Sequence, residues 1–201
     1  MAIINYKTHE VQLKIALHGP PSSGRATTLA QLHSLSPDSK DGLAIPEGES
    51  GKPVFFSFAA GPSQVFEGFE TRFEFYALSG KVSDEKALRV LLRDADGVVL
   101  VADSQWERLE DDVKSLQDIE EALKKEGGSL EEVAFALQYN KRDLADVAPG
   151  NYMDFLLNNR PNPAQTFETV ATNGESIAAM QKALLERVSA KFAESYSKVA
   201  A

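Results

Sequence analysis

Two short runs limit the folds open to this chain more than anything else in it. Gly97-Val-Val-Leu-Val-Ala102 and Val133-Ala-Phe-Ala-Leu137 are continuously apolar, and a strand of that kind must be covered on both faces. Such strands belong to parallel sheets, whose neighbouring strands need helical crossovers. The rest of the chain supplies those crossovers. Arg25 to Leu35, Asp84 to Arg93, Trp106 to Glu126 (closed by Gly127-Gly128) and Glu175 to Tyr196 are helical in composition and spacing. Val11 to Gly19 reads as a further strand and Gln165 to Val170 as a weaker one. Val54 to Ala59 and Arg72 to Leu78 are two consecutive strands joined by a Gly/Pro-containing connection, the pattern of a hairpin. Residues 36–53 are dense in Ser, Pro, Gly and Glu without a period and read as loop. The expected fold class is therefore α/β. A mostly parallel sheet with one antiparallel edge strand carries helices on both faces, in one domain over residues 1–201.

Sheets of this class hold ligands at the carboxyl ends of their strands, and two loops there carry chemistry. Gly19-Pro-Pro-Ser-Ser-Gly24-Arg25-Ala26-Thr27 has the spacing of a phosphate-binding loop, G-x-x-x-x-G-K-[ST], with Arg for Lys and Ala for the hydroxyl residue. The backbone amides from Ser22, Ser23 and Gly24 through Thr27 stand at a helix start, where they and the helix dipole favour an anion. Pro20 and Pro21 donate nothing. Arg25 keeps a positive charge as a planar fork rather than a compact ammonium. Ala26 lacks the oxygen that would ligate Mg²⁺, and Thr27 points about 100° away along the helix. A plain Gly/Pro/Ser turn at a helix start accounts for the same residues equally well. The second loop, Asn140-Lys141-Arg142-Asp143, is less ambiguous. In an N-K-x-D loop the Asp carboxylate accepts from the ring N1–H and the exocyclic amine that guanine alone presents together. The Asn braces the loop and the Lys stem lies along the base. A charged turn is the bland alternative, and placement directly after a buried strand weighs against it.

The charge balance narrows the partners. With 21 basic and 30 acidic residues the net charge is −9, which argues against nucleic-acid or anionic-membrane binding. No cysteine is present, which fits a reducing, cytoplasmic setting. No apolar run reaches the roughly 20 residues of a membrane span. His9, His18 and His33 do not stand at metal-ligand spacing.

The chain resembles a Ras-like small G protein, specifically the bacterial MglA-type gliding and cell-polarity GTPases. Ile4-Asn-Tyr6, His18-Gly-Pro20, Thr71-Arg-Phe73, Asp96-Gly-Val-Val99, Val101-Ala-Asp-Ser-Gln105 and Gln138-Tyr-Asn-Lys-Arg-Asp-Leu144 carry the resemblance along nearly the whole chain. It implies a Ras-type phosphate-loop G domain with a six-stranded sheet and an added N-terminal strand. It also implies guanine nucleotide, GDP or GTP, as ligand, and Val170-Ala171-Thr172 as the loop whose amide meets the guanine O6. Protein partners on the switch-side surface are implied too, roadblock-type regulators or related G domains among them.

Against that family the departures fall on one half of the site. Arg25 and Ala26 stand where the family has Lys and Thr. The second switch aligns with Ala77-Leu-Ser-Gly80-Lys81, so that Lys81 takes the place of the water-orienting Gln; Ala77 stands at the Asp-x-x-Gly position without an acidic residue, a position where MglA-type proteins are already unusual. The first switch, expected within residues 46–53, offers no Thr for Mg²⁺ and no arginine. Phosphoryl transfer depends on positioning and on neutralising the phosphate oxygens. The expectation is a pseudo-GTPase, with no catalytic residue, no metal site and no Mg²⁺, whose guanine site either holds nucleotide or is vestigial. Arg25 and Lys81 would offset phosphate charge without metal. An active switch and a nucleotide-free adaptor are the alternatives.

Several other residues read as structural. Glu107, Glu110, Asp111 and Asp112 are expected on a solvated face that complements a helix dipole. His18 is expected to be a satisfied structural histidine and Trp106 to be packing. Phe55, Phe56, Phe58, Phe66, Phe69, Phe73 and Phe75 are expected to be mostly core, with one or two left as exposed anchors.

Overall fold

A computed structural model of the chain describes residues 2–36, 39, 43, 53–78 and 85–200. Its strands are β1 (Ile3–Asn5), β2 (Glu10–His18), β3 (Pro53–Pro62), β4 (Glu70–Leu78), β5 (Gly97–Asp103), β6 (Ala134–Asn140) and β7 (Gln165–Glu168). Its helices are α1 (Arg25–Ser34), α2 (Glu85–Leu92), α3 (Leu109–Lys125), α4 (Gly150–Leu157) and α5 (Ile177–Ala200). The strands form one seven-stranded sheet in the order β3-β4-β2-β5-β6-β7, with β1 added antiparallel to the first residues of β2. Pairings from β4 through β7 are parallel. Only β1 and the edge strand β3 run antiparallel to their neighbours.

The pattern of the buried strands dictates the layers. Every residue of β5 and β6 is buried, and alternate side chains pass to opposite faces. Val99, Val101, Leu13, Ile15, Leu17, Phe56, Phe73 and Phe75 meet Leu29, Leu32, Ile177, Met180, Leu184 and Val188 of α1 and α5. Val98, Leu100, Ala102, Phe135, Leu137 and Tyr139 meet α2, α3 and α4 on the other face. Phe56 stacks on Phe75 with centroids 5.2 Å apart, whereas Phe55, more than a third exposed, stacks on Tyr76 outside the core.

Three expectations need correction. The helix expected from Trp106 begins as a 3-10 turn, Trp106–Arg108, before α3 takes over, and Trp106 is itself exposed against Tyr152. Residues 150–157, unassigned from sequence, form α4. The acidic start of α3 is not wholly solvated, because Asp112 is fully buried. Its position explains this: Leu109, Asp112, Leu116, Ile119 and Leu123 recur at three- and four-residue steps, so Asp112 lies on the apolar stripe.

Burial pushes the Asp112 carboxyl up to about 8, with the neighbouring Asp103 charge adding to the effect and the Asp103 N–H opposing it. The folded state thus keeps a proton that an unfolded Asp releases near its ordinary value of 3.8. Stability from this group is complete below that value and erodes as pH rises to about 8. An Asp112→Asn variant, which keeps an acceptor for the Asp103 amide without ionising, should gain on the wild type by several degrees in Tm between pH 5 and 8. Thermal melts across that range check the trend.

Candidate nucleotide-binding site

The loop from Gly19 to Gly24 joins β2 to α1 and is closed by Ser23 N–H donating to the Pro20 carbonyl at 3.2 Å. That bond removes the Ser23 amide from the set expected to face a phosphate. Among the described residues the amides of Ser22, Gly24, Ala26 and Thr27 remain. They precede the first helical bond, Thr28 N–H to the Gly24 carbonyl, and no side chain caps them. Ser22 has a left-handed backbone, φ 66°, and the Ser23 hydroxyl is buried with no hydrogen-bond partner among the described residues. Two glycines are enforced sterically. A Cβ on Gly19 would collide with the Val101 carbonyl oxygen, and one on Gly24 (φ 106°) with Asn140 Nδ2. Gly24→Ala should therefore lower Tm and displace the loop from Asn140, as a melt and the amide spectrum of residues 22–27 would show.

His18 and Arg25 lie beneath this loop, both 5% exposed. His18 is buried as expected but not satisfied: its Nδ1 has no hydrogen-bond partner among the described residues. Burial, and secondarily the Arg25 charge, depress its pKa to about 3, so it stays neutral at physiological pH. Burial also lowers the pKa of Arg25.

The N-K-x-D loop begins at the last residue of β6. Asn140 is 2% exposed and ties three segments together. Its Nδ2 donates to the Ser23 carbonyl at 2.8 Å. Its Oδ1 accepts from the Thr169 hydroxyl at 3.2 Å and the Ala171 N–H at 3.0 Å. Gln138, two residues earlier on β6 and fully buried, repeats the link by donating to Thr28 Oγ1 at 2.9 Å and Thr169 Oγ1 at 3.0 Å. Asp143 is exposed and makes no side-chain hydrogen bond among the described residues, so both its oxygens are open to donors. At the third segment the Ala171 amide is already committed to Asn140, leaving the Thr172 N–H without an acceptor among the described residues. Lys141 is left-handed at φ 66° and pairs with Asp103 Oδ2 at 2.6 Å. Non-glycine residues held at positive φ on both loops are a common mark of a functional site.

The residues brought together are thus Gly19, Ser22, Ser23, Gly24, Arg25, Ala26 and Thr27 on one loop, Asn140, Lys141 and Asp143 on the second, and Ala171 and Thr172 on the third. Gly80 and Lys81, and residues 46–52 of the first-switch segment, lie outside the described residues. Sequence reasoning gave no role to Asp103, Gln138 or Arg108, whose guanidinium donates to the Pro21 carbonyl at 2.9 Å. A polar Gln and Asp inside otherwise apolar buried strands were the available signal.

This arrangement of loops on a β-α sheet is that of the small-GTPase fold. The structure of the Arl6 BBS3 small GTPase from Trypanosoma brucei with bound nucleotide analogue GppNp matches it with a TM-score of 0.64 at 18% identity, over 90% of this chain and 99% of that one. No protein-family profile matches the chain. The mutual gliding-motility protein MglA of Myxococcus xanthus is 33% identical over 189 residues, covering 94% of this chain and 96% of that protein. The chain belongs to the MglA family of Ras-like small GTPases.

At the phosphate-loop position where a hydroxyl would ligate Mg²⁺ the chain carries Ala26, whose side chain has no donor atom. The residues described at the phosphate end therefore do not fit a magnesium ion held in the usual way. No helix among the described residues is long and apolar enough to cross a membrane.

Proposed function

We propose that this protein binds GDP or GTP through the N-K-x-D loop and acts as a regulatory interaction protein, with GTP hydrolysis lost or very slow. The observation that carries the reading is the Asn140 junction. One buried side chain fixes the base loop to the phosphate loop and to the Ala171 corner, while Asp143 is left open beside them. This junction supports base recognition at the purine half, and the Thr172 amide is the donor assigned to the guanine O6 in this reading. The phosphate loop carries Ala26 where a hydroxyl would ligate Mg²⁺, and Arg25 with Lys81 are the cations that would offset phosphate charge in its stead. A chain of this kind presents a nucleotide-stabilised surface rather than a timed one. The name of the Myxococcus relative, a mutual gliding-motility protein, supports a place in gliding motility. Phe55, exposed on edge strand β3 beside the switch side, is a candidate anchor for protein partners such as roadblock-type regulators or related G domains.

Thermal-shift titration with GTP, GDP and ATP, with Mg²⁺ or with a chelator, tests this. The expected result is a guanine-only rise in Tm that survives chelation. At 100 times Kd the stabilisation is about 2.7 kcal/mol, or roughly 5–10 °C for a domain of this size. No shift with any nucleotide would instead identify a nucleotide-free adaptor, and a shift lost with the metal would restore an ordinary switch.

A further inference from the structure

The side chain of Lys141 is held before any ligand arrives. Asp103, the last residue of β5 and the register partner of Asn140, presents a carboxylate 1% exposed, against 26% for the lysine it pairs with. Its Oδ2 takes the Lys141 ammonium at 2.6 Å, and its Oδ1 accepts from Gln105 Nε2 at 2.9 Å. Behind it, the Asp103 N–H donates to the buried Asp112 carboxyl at 3.0 Å, which fixes the backbone that carries the carboxylate. The pair lines a cavity of about 450 Å³ together with Pro21 and Ser22 of the phosphate loop. Arg108, anchored on the Pro21 carbonyl and on Asp111 at 2.7 Å, lines it as well.

From this geometry we infer that Asp103 is a positioning residue for guanine-nucleotide binding. It lays the Lys141 stem along the wall between the phosphate loop and the base loop, so that the methylenes and the ammonium need not be ordered by the ligand. The inference rests on the nucleotide reading above and adds to it a residue outside the recognition motif. A flexible lysine loses rotamer freedom when it is immobilised, and a site in which folding has already removed that freedom binds more tightly. Asp103→Asn keeps the shape and the Gln105 contact but releases the lysine, which is exposed enough to swing into water. The variant should bind fluorescent GDP about tenfold more weakly, chiefly through faster dissociation.

The test is a double-mutant cycle with Lys141→Met, read by dissociation of fluorescent GDP and, without nucleotide, by NMR order parameters of the Lys141 side chain. A positioning role predicts that Lys141 is rigid in the wild type and mobile in Asp103→Asn. It also predicts that Asp103→Asn adds no further loss once Lys141 is Met. The Asp103→Asn, Lys141→Met double variant removes both charges together and so guards against misfolding from a buried unpaired carboxylate. Equal losses from Asp103→Asn in both backgrounds, or an unchanged Lys141 order parameter, would overturn the inference while leaving guanine binding in place. A rigid Lys141 in a wild-type protein that takes up no guanine nucleotide would overturn the nucleotide reading, and the inference with it.

Discussion

Asp143→Asn is expected to abolish guanine binding at ordinary ligand concentrations, raising Kd at least about 100-fold. The carboxylate is the only group of the loop that accepts from two guanine donors at once, and hydrogen bonds to a charged group contribute about 1.5–3 kcal/mol each. Losing one acceptor and facing a ring or amine N–H with an amide N–H converts an attraction into a repulsion, for a total of roughly 3–4 kcal/mol. The fold should not notice the change. Asp143 is exposed and makes no side-chain hydrogen bond among the described residues, so Tm without nucleotide should stay within about 2 °C of the wild type. A xanthine nucleotide, which replaces the exocyclic amine by a carbonyl, should recover part of the affinity because the Asn amide donates to that carbonyl. Isothermal titration with GDP and XDP reads all of this. Undiminished GDP binding by the Asn variant would mean that the base is not read here.

Asn140→Ala should act in the opposite way, through the fold first. The substitution strands the Ser23 carbonyl, the Ala171 N–H and one bond of the Thr169 hydroxyl, all in a region where Asn140 is 2% exposed. Each buried group left unmade costs about 1–3 kcal/mol, and a total of about 3–5 kcal/mol is a large share of a typical stability of 5–15 kcal/mol. Tm should fall by about 10–15 °C in the absence of ligand. Hydrogen exchange should quicken at the Ala171 amide and at residues 22–27. The effect is local in origin because Gln138 still links Thr28 to Thr169. Asp143→Asn and Asn140→Ala thus separate recognition from construction: the first spares the melt and loses the base, and the second degrades both.

Much of this architecture can be read from the chain alone, and the exceptions have physical causes. The buried strands β5 and β6 announce themselves because burial on both faces leaves no polar position to break the run. The short elements do not. β1, which only the family resemblance announced, has three residues and pairs with β2; α4 has eight, begins with glycine, and buries only Met153 and Leu157. Neither length nor period can reveal such pieces. Asp112 was legible but misjudged, since four acidic residues near a helix start suggest solvent while the three- and four-residue step from Leu109 puts one of them inside. At the site, motif spacing located the loops that carry Gly19 and Asn140, and the family resemblance the one that carries Ala171. It could not show how they are joined. That the Ala171 amide is taken by Asn140 and that Asp103 holds Lys141 are facts of three-dimensional contact between residues far apart in sequence.

The asymmetry between a complete purine end and an altered phosphate end is tested most directly by loading the purified protein with γ-³²P-GTP. Retained nucleotide and released phosphate are then followed in the same sample, with excess Mg²⁺ and with chelator. The account predicts that guanine nucleotide stays bound in both conditions and that phosphate appears no faster than in protein-free buffer. Repeated turnover by the isolated chain, or loss of the nucleotide when magnesium is removed, would contradict it.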